Sequence, residues 1–431
     1  MAVITVKVFA DFHIHGRYSR GCSTQLTVAN LEKFARIKGL SLLGTGDFTH
    51  PVWLRELKTD LKEDETGILR TKSGFDFVLQ AELSNIYSQG GKGRRVHTVV
   101  LAPSFEAVDQ INAKLAEQGR LDYDGRPIFG FTCMELVEML RAIDERIEMI
   151  PAHVWTPWFS LFGSRSGFNS VEECFQDQTK HIHALETGLS SNPAMNWRVS
   201  KLDTYTLVSN SDSHSFWPWR IGREANVFNV KELTYDNIIS IIQGKDRKGF
   251  LFTIEVEPSY GKYHLDGHRA CGVCLEPQES RKMRGLCPKC GNPLTIGVLS
   301  RVEELADRKG GFKPKNAVPF KSLIPLSEIL AAHLGVSQPF SKKVWTAYNT
   351  LIKEFGSEFG VLLDASHEQL TNVVEAQIAD AIIKVREGDV AIQAGCDGVY
   401  GRPLFPGAKT EVTEPKTEAV VKNKQKTLSD F

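Results

Sequence analysis

VITVKVFADFHIH, residues 3–15, carries the clearest structural signal in the chain. A β-branched and aromatic run from Val3 to Phe9 leads through Asp11 to His13 and His15. Alternate residues of an extended segment point the same way, so a strand here presents both imidazoles to one site. The same order, a short apolar run and then His, Asp or Glu, recurs along the chain as far as Asp212-x-His214. The stretch therefore predicts a strand that delivers metal-ligand side chains.

Further apolar runs end in ligand-type residues at Leu40–Gly44, Phe75–Leu79, Met149–Val154, Ala184–Leu185 and Tyr205–Ser209. Helical spacing predicts helices between them, over Thr27–Lys38 with Gly39 as its C-cap and over Met134–Ile147. Alternating strands and helices favour an α/β fold, a parallel sheet or barrel that gathers strand ends on one face. Val96–Leu101 is an exception because His97 stands at its start, so either this strand runs differently or its predicted boundary is wrong.

The residues after these runs form a set of metal-ligand candidates: His13, His15, Asp47, His50, Glu82, His97, His153, Asp212 and His214. Imidazole and carboxylate together suit zinc, manganese or iron, and clustered divalent ions suit phosphoester hydrolysis. We expect Asp11 to orient a histidine, and Glu186 to be either structural or orienting. The other histidines are expected to be ordinary hydrogen-bonded residues: His181, His183, His264, His268, His333 and His367.

Composition sets the bounds. The chain has 431 residues, 42% of them hydrophobic, and 52 basic residues against 52 acidic ones, so no global field draws it to nucleic acid or membrane. It has no apolar run of 18 residues, which excludes a membrane span. The start of the chain lacks the pattern of a signal peptide. The eight cysteines suit a reducing compartment. We expect a cytoplasmic, nucleoid-associated protein.

Two CxxC pairs, Cys271/Cys274 and Cys287/Cys290, predict a second metal site. Four thiolates on two tight turns form a closed tetrahedral zinc site that stabilises a small fold and performs no chemistry. Arg269–Lys321 carries eleven Lys or Arg against five Asp or Glu. This local excess suits a phosphate backbone, the alternative being a solvated basic loop.

From about Pro325 helical spacing predicts a small helical domain over Leu326–Leu334, Lys342–Phe355 and His367–Arg386, with Trp345, Tyr348 and Phe359 in its core. The resulting division is residues 1–255, 256–300 for the zinc ribbon, 301–405 for the helical domain, and a flexible tail over 406–431. The tail ends in Gln425, Leu428 and Phe431, a Gln-x-x-Leu-x-x-Phe spacing that resembles the peptide that docks on DNA sliding clamps. The alternative is an ordinary terminus.

Residues 1–255 resemble the PHP (polymerase and histidinol phosphatase) family of metal-dependent phosphoesterases. The matching stretches are Phe12–His15, Gly44–Asp47, Ala81-Glu82, Ala152-His153 and Ser211–His214. The resemblance implies a distorted (β/α)7 barrel with two or three divalent metals, zinc or else manganese or magnesium. It implies a first metal held by His13, His15, Glu82 and Asp212, and a second held by Glu82, His97 and His153. A third would take His214 with Asp47 or His50, although Phe48 replaces the histidine found in many members.

Barrel, ribbon, helical domain and clamp-type tail occur together in the endonuclease Q family, which the chain resembles over nearly its full length. The most specific stretches are HVWTPWF, residues 153–159, and FGSRSGF, residues 162–168. The resemblance implies a DNA repair endonuclease that cuts 5′ to deaminated bases (uracil, hypoxanthine, xanthine) and abasic sites. We expect a monomer, with Glu82 and Asp212 as the catalytic carboxylates. A small-molecule phosphatase and a non-catalytic, clamp-bound DNA-binding module are the alternatives.

A deaminated base in a duplex has to be extruded into a pocket before an enzyme can act on it. The aromatic side chains after His153 and His214 are candidates for its wall, with ordinary core packing as the alternative: Trp155, Trp158, Phe159, Phe162 and Trp217. Basic residues in the adjoining loops are candidates for phosphate contacts, with a solvated hairpin tip as the alternative for the first three: Lys92, Arg94, Arg95 and Arg165.

Overall fold

The computed structural model describes residues 5–405, 407 and 408. Gln425, Leu428 and Phe431, the predicted clamp-binding residues, lie outside this range, as does nearly all of the predicted tail. No helix within the described part of the chain has the length and apolar character that crossing a membrane requires.

The first part of the chain alternates strands and helices. Its strands are β1 (Val6–Asp11), β2 (Leu42–Gly44), β3 (Lys62–Glu63), β4 (Leu69–Arg70), β5 (Asp76–Gln89), β6 (Lys92–Ala102), β7 (Ile128–Phe129), β8 (Glu148–Pro151), β9 (Ala184–Glu186), β10 (Thr206–Val208), β11 (Ala225–Val230) and β12 (Phe250–Glu255). Its helices are α1 (Val28–Lys38), α2 (Pro51–Asp60), α3 (Phe105–Ala116), α4 (Cys133–Ile143), α5 (Val171–Phe175), α6 (Pro193–Asn196) and α7 (Tyr235–Ile242).

Helix α1 shows how local sequence sets these bounds. The Thr27 side chain accepts a hydrogen bond from the Asn30 amide and caps the first turn. Gly39 ends the helix with φ of 101°, a left-handed conformation that glycine adopts without strain. Leu31, Phe34 and Ala35 are buried on the inward face, as their spacing predicts. Helix α4 ends at Ile143, four residues before the predicted end.

Strand β1 runs parallel to β2, and β2 runs parallel to β5. Strands β9 and β10 pair in parallel, and a parallel bridge between Ile14 and Ser213 sets the end of β10 beside the end of β1. The long β6 is antiparallel to both β5 and β8. Parallel strands with intervening helices confirm the α/β class, while the count of seven βα units in a closed barrel stays a prediction.

The reversed direction of β6 explains the position of His97. The strand starts at Lys92, earlier than predicted, and His97, its sixth residue, pairs with Ser84 in the middle of β5. Because β6 is antiparallel to β8, His97 also lies next to the end of β8 at Pro151. The backbone confirms this, because the Ala152 amide donates to the His97 carbonyl at 3.0 Å.

The remaining elements form a cysteine-rich module and a helical domain. They are β13 (Asp266–His268), β14 (Val273–Leu275), α8 (Pro277–Lys282), α9 (Val298–Leu305), β15 (Phe320–Ser322), α10 (Leu326–Leu334), α11 (Lys342–Phe355), a π-helical turn (Gly360–Asp364), α12 (His367–Thr371), α13 (Ala376–Glu387), β16 (Ala391–Gln393) and β17 (Arg402–Leu404). Helices α10 and α11 have the predicted bounds, whereas the predicted helix His367–Arg386 is divided into α12 and α13. Trp345, Tyr348 and Phe359 are buried, as expected.

These domains are not independent of the first. Strand β15 pairs in parallel with β12 at the edge of the large sheet. The rings of Trp217 and Trp219 lie 5.9 and 5.6 Å from the ring of Trp345 in α11. The helical domain therefore packs directly on the sheet domain.

Candidate metal centre

Two overlapping groups of metal-ligand side chains meet where β1, β8 and β10 end, beside the middle of β5 and β6. His13, His15, Glu82 and Asp212 form the first group, and Glu82, His97 and His153 form the second. Within each group the ligand atoms all lie within 4.8 Å of one another. The structure thus brings together the six residues predicted for the first two metals, with Glu82 belonging to both groups.

The donor set and its surroundings fit divalent metals. Mixed imidazole and carboxylate ligands suit zinc or manganese. His13 Nε2 faces the group, is buried, and has no hydrogen-bond partner among the described residues. A buried polar atom without a partner is costly, and coordination to a metal would satisfy it.

Carboxylates behind the centre orient its histidines. Glu186 contacts His13 Nδ1 at 3.0 Å through both oxygens, which leaves Nε2 to face the cluster. Asp47 does the same for His15, with its Oδ1 3.0 Å from His15 Nδ1. Asp11, expected to orient an imidazole, instead accepts from backbone amides of His13, Ser211 and Gly222.

The residues of the predicted third site do not form a ligand group within the described chain. Asp47 is occupied by His15, by the Ser19 hydroxyl and by the Gly16 amide. His50 caps α2, and its ring stacks on that of Tyr18 at 4.4 Å. His214 remains near the centre, with its ring 4.2 Å from that of His15. A third metal held by His214 with Asp47 or His50 therefore stays a prediction.

Backbone strain is concentrated here. Asp47, His153 and Asp212 have φ of 40°, 31° and 47°. A left-handed conformation costs a non-glycine residue about 1–2 kcal/mol, and such strain persists where the surrounding structure enforces it. Gly188 packs directly against His153. A Cβ on Gly188 would lie 2.6 Å from the Cβ of His153, which leaves no room for a side chain there.

The charges of the cluster are strongly coupled. Burial opposes ionisation of Glu82, but electrostatic interactions with His97 and Arg126 outweigh it and hold the pKa of that carboxyl well below its usual value. Burial lowers the pKa of His97 to about 4. Burial and the neighbouring His15 lower the pKa of His214 to about 4. Glu82 and His97 are therefore in the states that bind metals. At His13 and His15 burial opposes protonation, but the surrounding carboxylates outweigh it and raise the pKa of both, so metal binding there must displace protons.

Arg126 is a charged residue of the centre that sequence reasoning missed. Its Nη1 lies 2.9 Å from Glu82 Oε2, and 28% of its side chain is exposed. It belongs to an irregular loop after α3, where no periodic pattern marks it. The preceding glycine, Gly125, was the one available signal, because an Asp-Gly-Arg-Pro sequence indicates a tight turn.

The aromatic loop after His153 divides into core and rim. Trp155 is buried and donates from Nε1 to Asn196 Oδ1 at 2.8 Å, and the buried ring of Phe162 packs on it. Trp155 and Phe162 therefore take the core packing that was the alternative to a base-pocket role. Trp217 is partly buried and packs between Phe34 and Trp345. Direction in an irregular loop follows no sequence period, so the sequence does not separate core from rim here.

Trp158 and Phe159 remain at the rim, each partly exposed. The Phe159 ring lies 4.8 Å from the ring of His97, and Phe159 has a left-handed φ of 60°. Trp158 makes an edge contact with Tyr263 at 5.4 Å.

Among the basic candidates, Lys92 and Arg95 are exposed, and the Arg95 guanidinium lies 5.6 Å from the Phe159 ring. Arg94 instead packs 4.0 Å over Phe168 and donates to the Gly167 carbonyl. Arg165 donates to the Leu294 carbonyl of the cysteine-rich module. Arg94 and Arg165 therefore have structural partners.

The cysteine-rich module differs from its prediction by one ligand. Cys271, Cys287 and Cys290 come together with His268, whereas Cys274 forms a disulfide with Cys396. The reason is the register of the β13–β14 hairpin, in which His268 pairs with Val273 and Gly267 with Cys274. This places His268 with the three cysteines and Cys274 near the chain segment of Cys396, which bridges to Leu265. Three sulfurs and one imidazole also suit a structural zinc.

Comparison with known proteins extends these observations. A family model described as the MJ0043 C-terminal domain matches residues 325–389, the helical domain. The uncharacterized protein MJ0043 of Methanocaldococcus jannaschii is 34% identical over 262 residues, 60% of this chain but only 32% of that protein. The uncharacterized protein YqxK of Bacillus subtilis is 30% identical over 413 residues, 92% of this chain and 99% of that one.

Two solved structures are similar over almost the whole chain. The lesion-specific endonuclease PfuEndoQ from Pyrococcus furiosus has a TM-score of 0.83 at 32% identity, covering 99% of both chains. Endonuclease Q in complex with a 27-mer duplex substrate, with an abasic lesion at the active site, has a TM-score of 0.84 at 34% identity, covering 94% of this chain and 99% of that one. Sequence identity above 30% combined with full-length structural agreement shows that this chain belongs to the endonuclease Q family.

Proposed function

We propose that this protein is a DNA repair endonuclease that hydrolyses the phosphodiester 5′ to deaminated bases and abasic sites. The observation that carries the proposal is a pair of metal-ligand groups sharing Glu82, in a chain similar over its full length to a lesion-specific endonuclease. The related complex with abasic duplex DNA supports damaged DNA as the substrate class.

Two divalent metals bound at these groups would neutralise charge on the phosphodiester and activate a water molecule. His13, His15, Glu82 and Asp212 would hold one, and Glu82, His97 and His153 the other. The protein's own contribution is to hold these donors fixed, through Glu186 on His13 and Asp47 on His15. Attack of water on phosphorus breaks the bond to the preceding 3′ oxygen and leaves a 3′-hydroxyl and a 5′-phosphate.

Trp158 and Phe159 are the aromatic residues we propose for contact with an extruded base. They are partly exposed beside His97, and aromatic faces stack on any base. We also propose the exposed Lys92 and Arg95 for contact with the neighbouring phosphates. Docking of a sliding clamp on Gln425, Leu428 and Phe431 stays a prediction. If the clamp still bound a chain that lacks its last eight residues, this prediction would be contradicted.

The test uses end-labelled duplexes that carry one uracil, one hypoxanthine or one abasic site. We expect one cut on the 5′ side of each lesion, lost with a chelator and restored by added metal. Asp212→Ala removes a ligand of the first group, so it should abolish cutting while retaining binding to the damaged duplex. Near-normal cutting by this variant in metal-replete buffer would contradict the assignment. Hydrolysis of p-nitrophenyl phosphate without any cutting of damaged DNA would indicate a small-molecule phosphatase.

A further inference from the structure

The loop of residues 122–127 lies directly against the metal centre. Gly125 is buried, and a Cβ at this position would lie 2.2 Å from both Asp47 Oδ2 and Ser19 Oγ. Its carbonyl accepts a hydrogen bond from the Thr49 hydroxyl at 3.1 Å. Only glycine allows the loop backbone to approach Asp47 and Ser19 so closely. This contact fixes the position of the next residue relative to the metal centre.

That next residue is Arg126, and its backbone is held on both sides. Its amide donates to Asp124 Oδ1 at 3.3 Å. The following carbonyl, of Pro127, accepts from the Ser84 amide of β5 at 3.0 Å. The guanidinium therefore reaches Glu82 from a backbone held on both sides, and 28% of the Arg126 side chain remains exposed.

A permanent cation at this place is electrostatically unfavourable for metal binding. Glu82 belongs to both ligand groups, and like charges a few ångströms apart repel strongly in a partly buried site. The guanidinium is one of several contacts of Glu82, because His97 Nδ1 and His153 Nε2 also lie 2.8 and 3.1 Å from Oε1 in the metal-free chain. The repulsion between Arg126 and the metals is compensated only when a further negative charge enters the site.

We propose that Arg126 is a catalytic residue that donates hydrogen bonds to a non-bridging oxygen of the scissile phosphate. The inference rests on the proposed function in taking a phosphodiester as substrate. The planar guanidinium matches phosphate geometry and keeps its proton throughout. As the water oxygen bonds to phosphorus and the 3′ oxygen leaves, charge grows on the non-bridging oxygens, and Arg126 stabilises it.

The position of Arg126 beside Glu82 also predicts its effect on metal binding. This effect is opposite in sign to its effect on catalysis. In the absence of substrate, Arg126 neutralises part of the charge of Glu82 that a metal would use. Removing it should therefore leave metal affinity unchanged or increase it, whereas a residue that only holds Glu82 in place would lower metal affinity when removed. Metal affinity thus separates a catalytic role from a structural one.

The experiment compares Arg126→Gln and Arg126→Lys with the parent chain, and uses Arg20→Gln as the matched control. Arg20 pairs with Asp124 of the same loop at 3.5 Å, but 84% of its side chain is exposed. Three quantities are measured for each protein: affinity for zinc and manganese, kcat on an abasic duplex, and hydrolysis of bis(p-nitrophenyl) phosphate. Thermal melting verifies that each variant is folded.

For Arg126→Gln we expect kcat to fall about 100-fold on both substrates, as when one oxyanion donor is lost, with metal affinity equal to or above that of the parent. Arg126→Lys should be intermediate, and Arg20→Gln should lie within about twofold of the parent. Parent-like hydrolysis by Arg126→Gln, or activity lost in proportion to metal content, would overturn the proposal. If the parent hydrolyses the simple diester through Arg126 but does not cut damaged DNA, the proposed function fails and this inference stands.

Discussion

Glu255 is a buried carboxyl group behind the metal centre. The Thr187 and Thr253 hydroxyls donate to its two oxygens, at 3.0 and 2.5 Å. Burial raises its pKa from 4.5 to about 8, so in the folded protein it holds its proton at neutral pH. Glu224, also buried, has a pKa raised by burial and by the proximity of the Glu255 carboxyl group. Both groups release a proton more readily in the unfolded chain.

A pH dependence of stability follows for Glu255. Between about pH 4.5 and pH 8 the unfolded chain has lost this proton and the folded protein has not, so the free energy of unfolding falls as pH rises. Glu255→Gln removes the titration, and the difference in stability between pH 5 and pH 8 should shrink by at least about 1.4 kcal/mol, the equivalent of one pKa unit. Urea denaturation at the two pH values measures it. Glu117→Gln, at an exposed site, is the control, and an equal response of both variants would contradict the assignment.

The ligands of the first two metal groups could be predicted because each follows a short apolar run, and strand ends meet at one rim. His97 was accessible for the same reason once its strand was allowed to run the other way. Arg126 and His268 were not, because one reaches the centre through an irregular loop and the other through hairpin register. Neither an irregular loop nor the register of a hairpin produces a periodic pattern of residues in the sequence.

Among the secondary-structure elements, the cysteine-rich module and α9 hold the aromatic loop after His153. Arg301, buried in α9, donates to the carbonyls of Phe162 and Phe168 at 2.9 and 3.0 Å and to Asn169 Oδ1 at 2.7 Å. Ser164 donates to the Ile296 carbonyl at 3.0 Å. The rim residue Phe159, beside His97, is therefore positioned by contacts from a separate module.

Replacing Arg301 tests this connection. Arg301→Met leaves buried carbonyls without donors, each at about 1–3 kcal/mol. We expect a lower melting temperature and weaker binding of abasic duplex, with metal content unchanged. Glu304→Ala is the matched control, since Glu304 is the partner of Arg301 at 2.8 Å but is 64% exposed, and its loss should cost at most about 1 kcal/mol. Lesion binding equal to the parent in Arg301→Met would show that the loop needs no such support.

Element prediction succeeded where one face is buried along a whole helix, as in α10 and α11. It failed for His367–Arg386, where an apolar face continues through Val373 and Val374 although the backbone turns between α12 and α13. The spacing of apolar side chains indicates which residues are buried. It does not indicate where the chain changes direction.

Across the full molecule, a buried ion pair joins the sheet domain to the helical domain. Lys38 Nζ of α1 lies 2.8 Å from Glu358 Oε1, and the two side chains are 2% and 1% exposed. Tyr348 donates to the other oxygen of Glu358 at 2.7 Å, and Lys38 also donates to the Pro218 carbonyl at 2.9 Å. Every charge in the pair is thus matched, and both domains contribute.

The variant Glu358→Ala should show how much the Lys38–Glu358 ion pair contributes to the stability of the protein. Removing one partner leaves a buried ammonium without its countercharge, which destabilises by about 3–5 kcal/mol. The melting temperature should fall markedly, and proteases should cut more readily between the domains. Lys58→Ala, which removes an exposed pair with Asp109, provides the comparison and should change stability by at most about 1 kcal/mol. A similar small change in both variants would contradict the interpretation.

Strand β15 joins the sheet domain and the helical domain into a single piece of architecture, because it completes the edge of the large sheet beside β12. Cutting the gene at residue 300 to obtain the catalytic half alone would strip β12 of its outer neighbour and leave a row of unsatisfied backbone groups facing water. Exposed strand edges recruit one another, so such a fragment would precipitate even with all of its metal ligands intact.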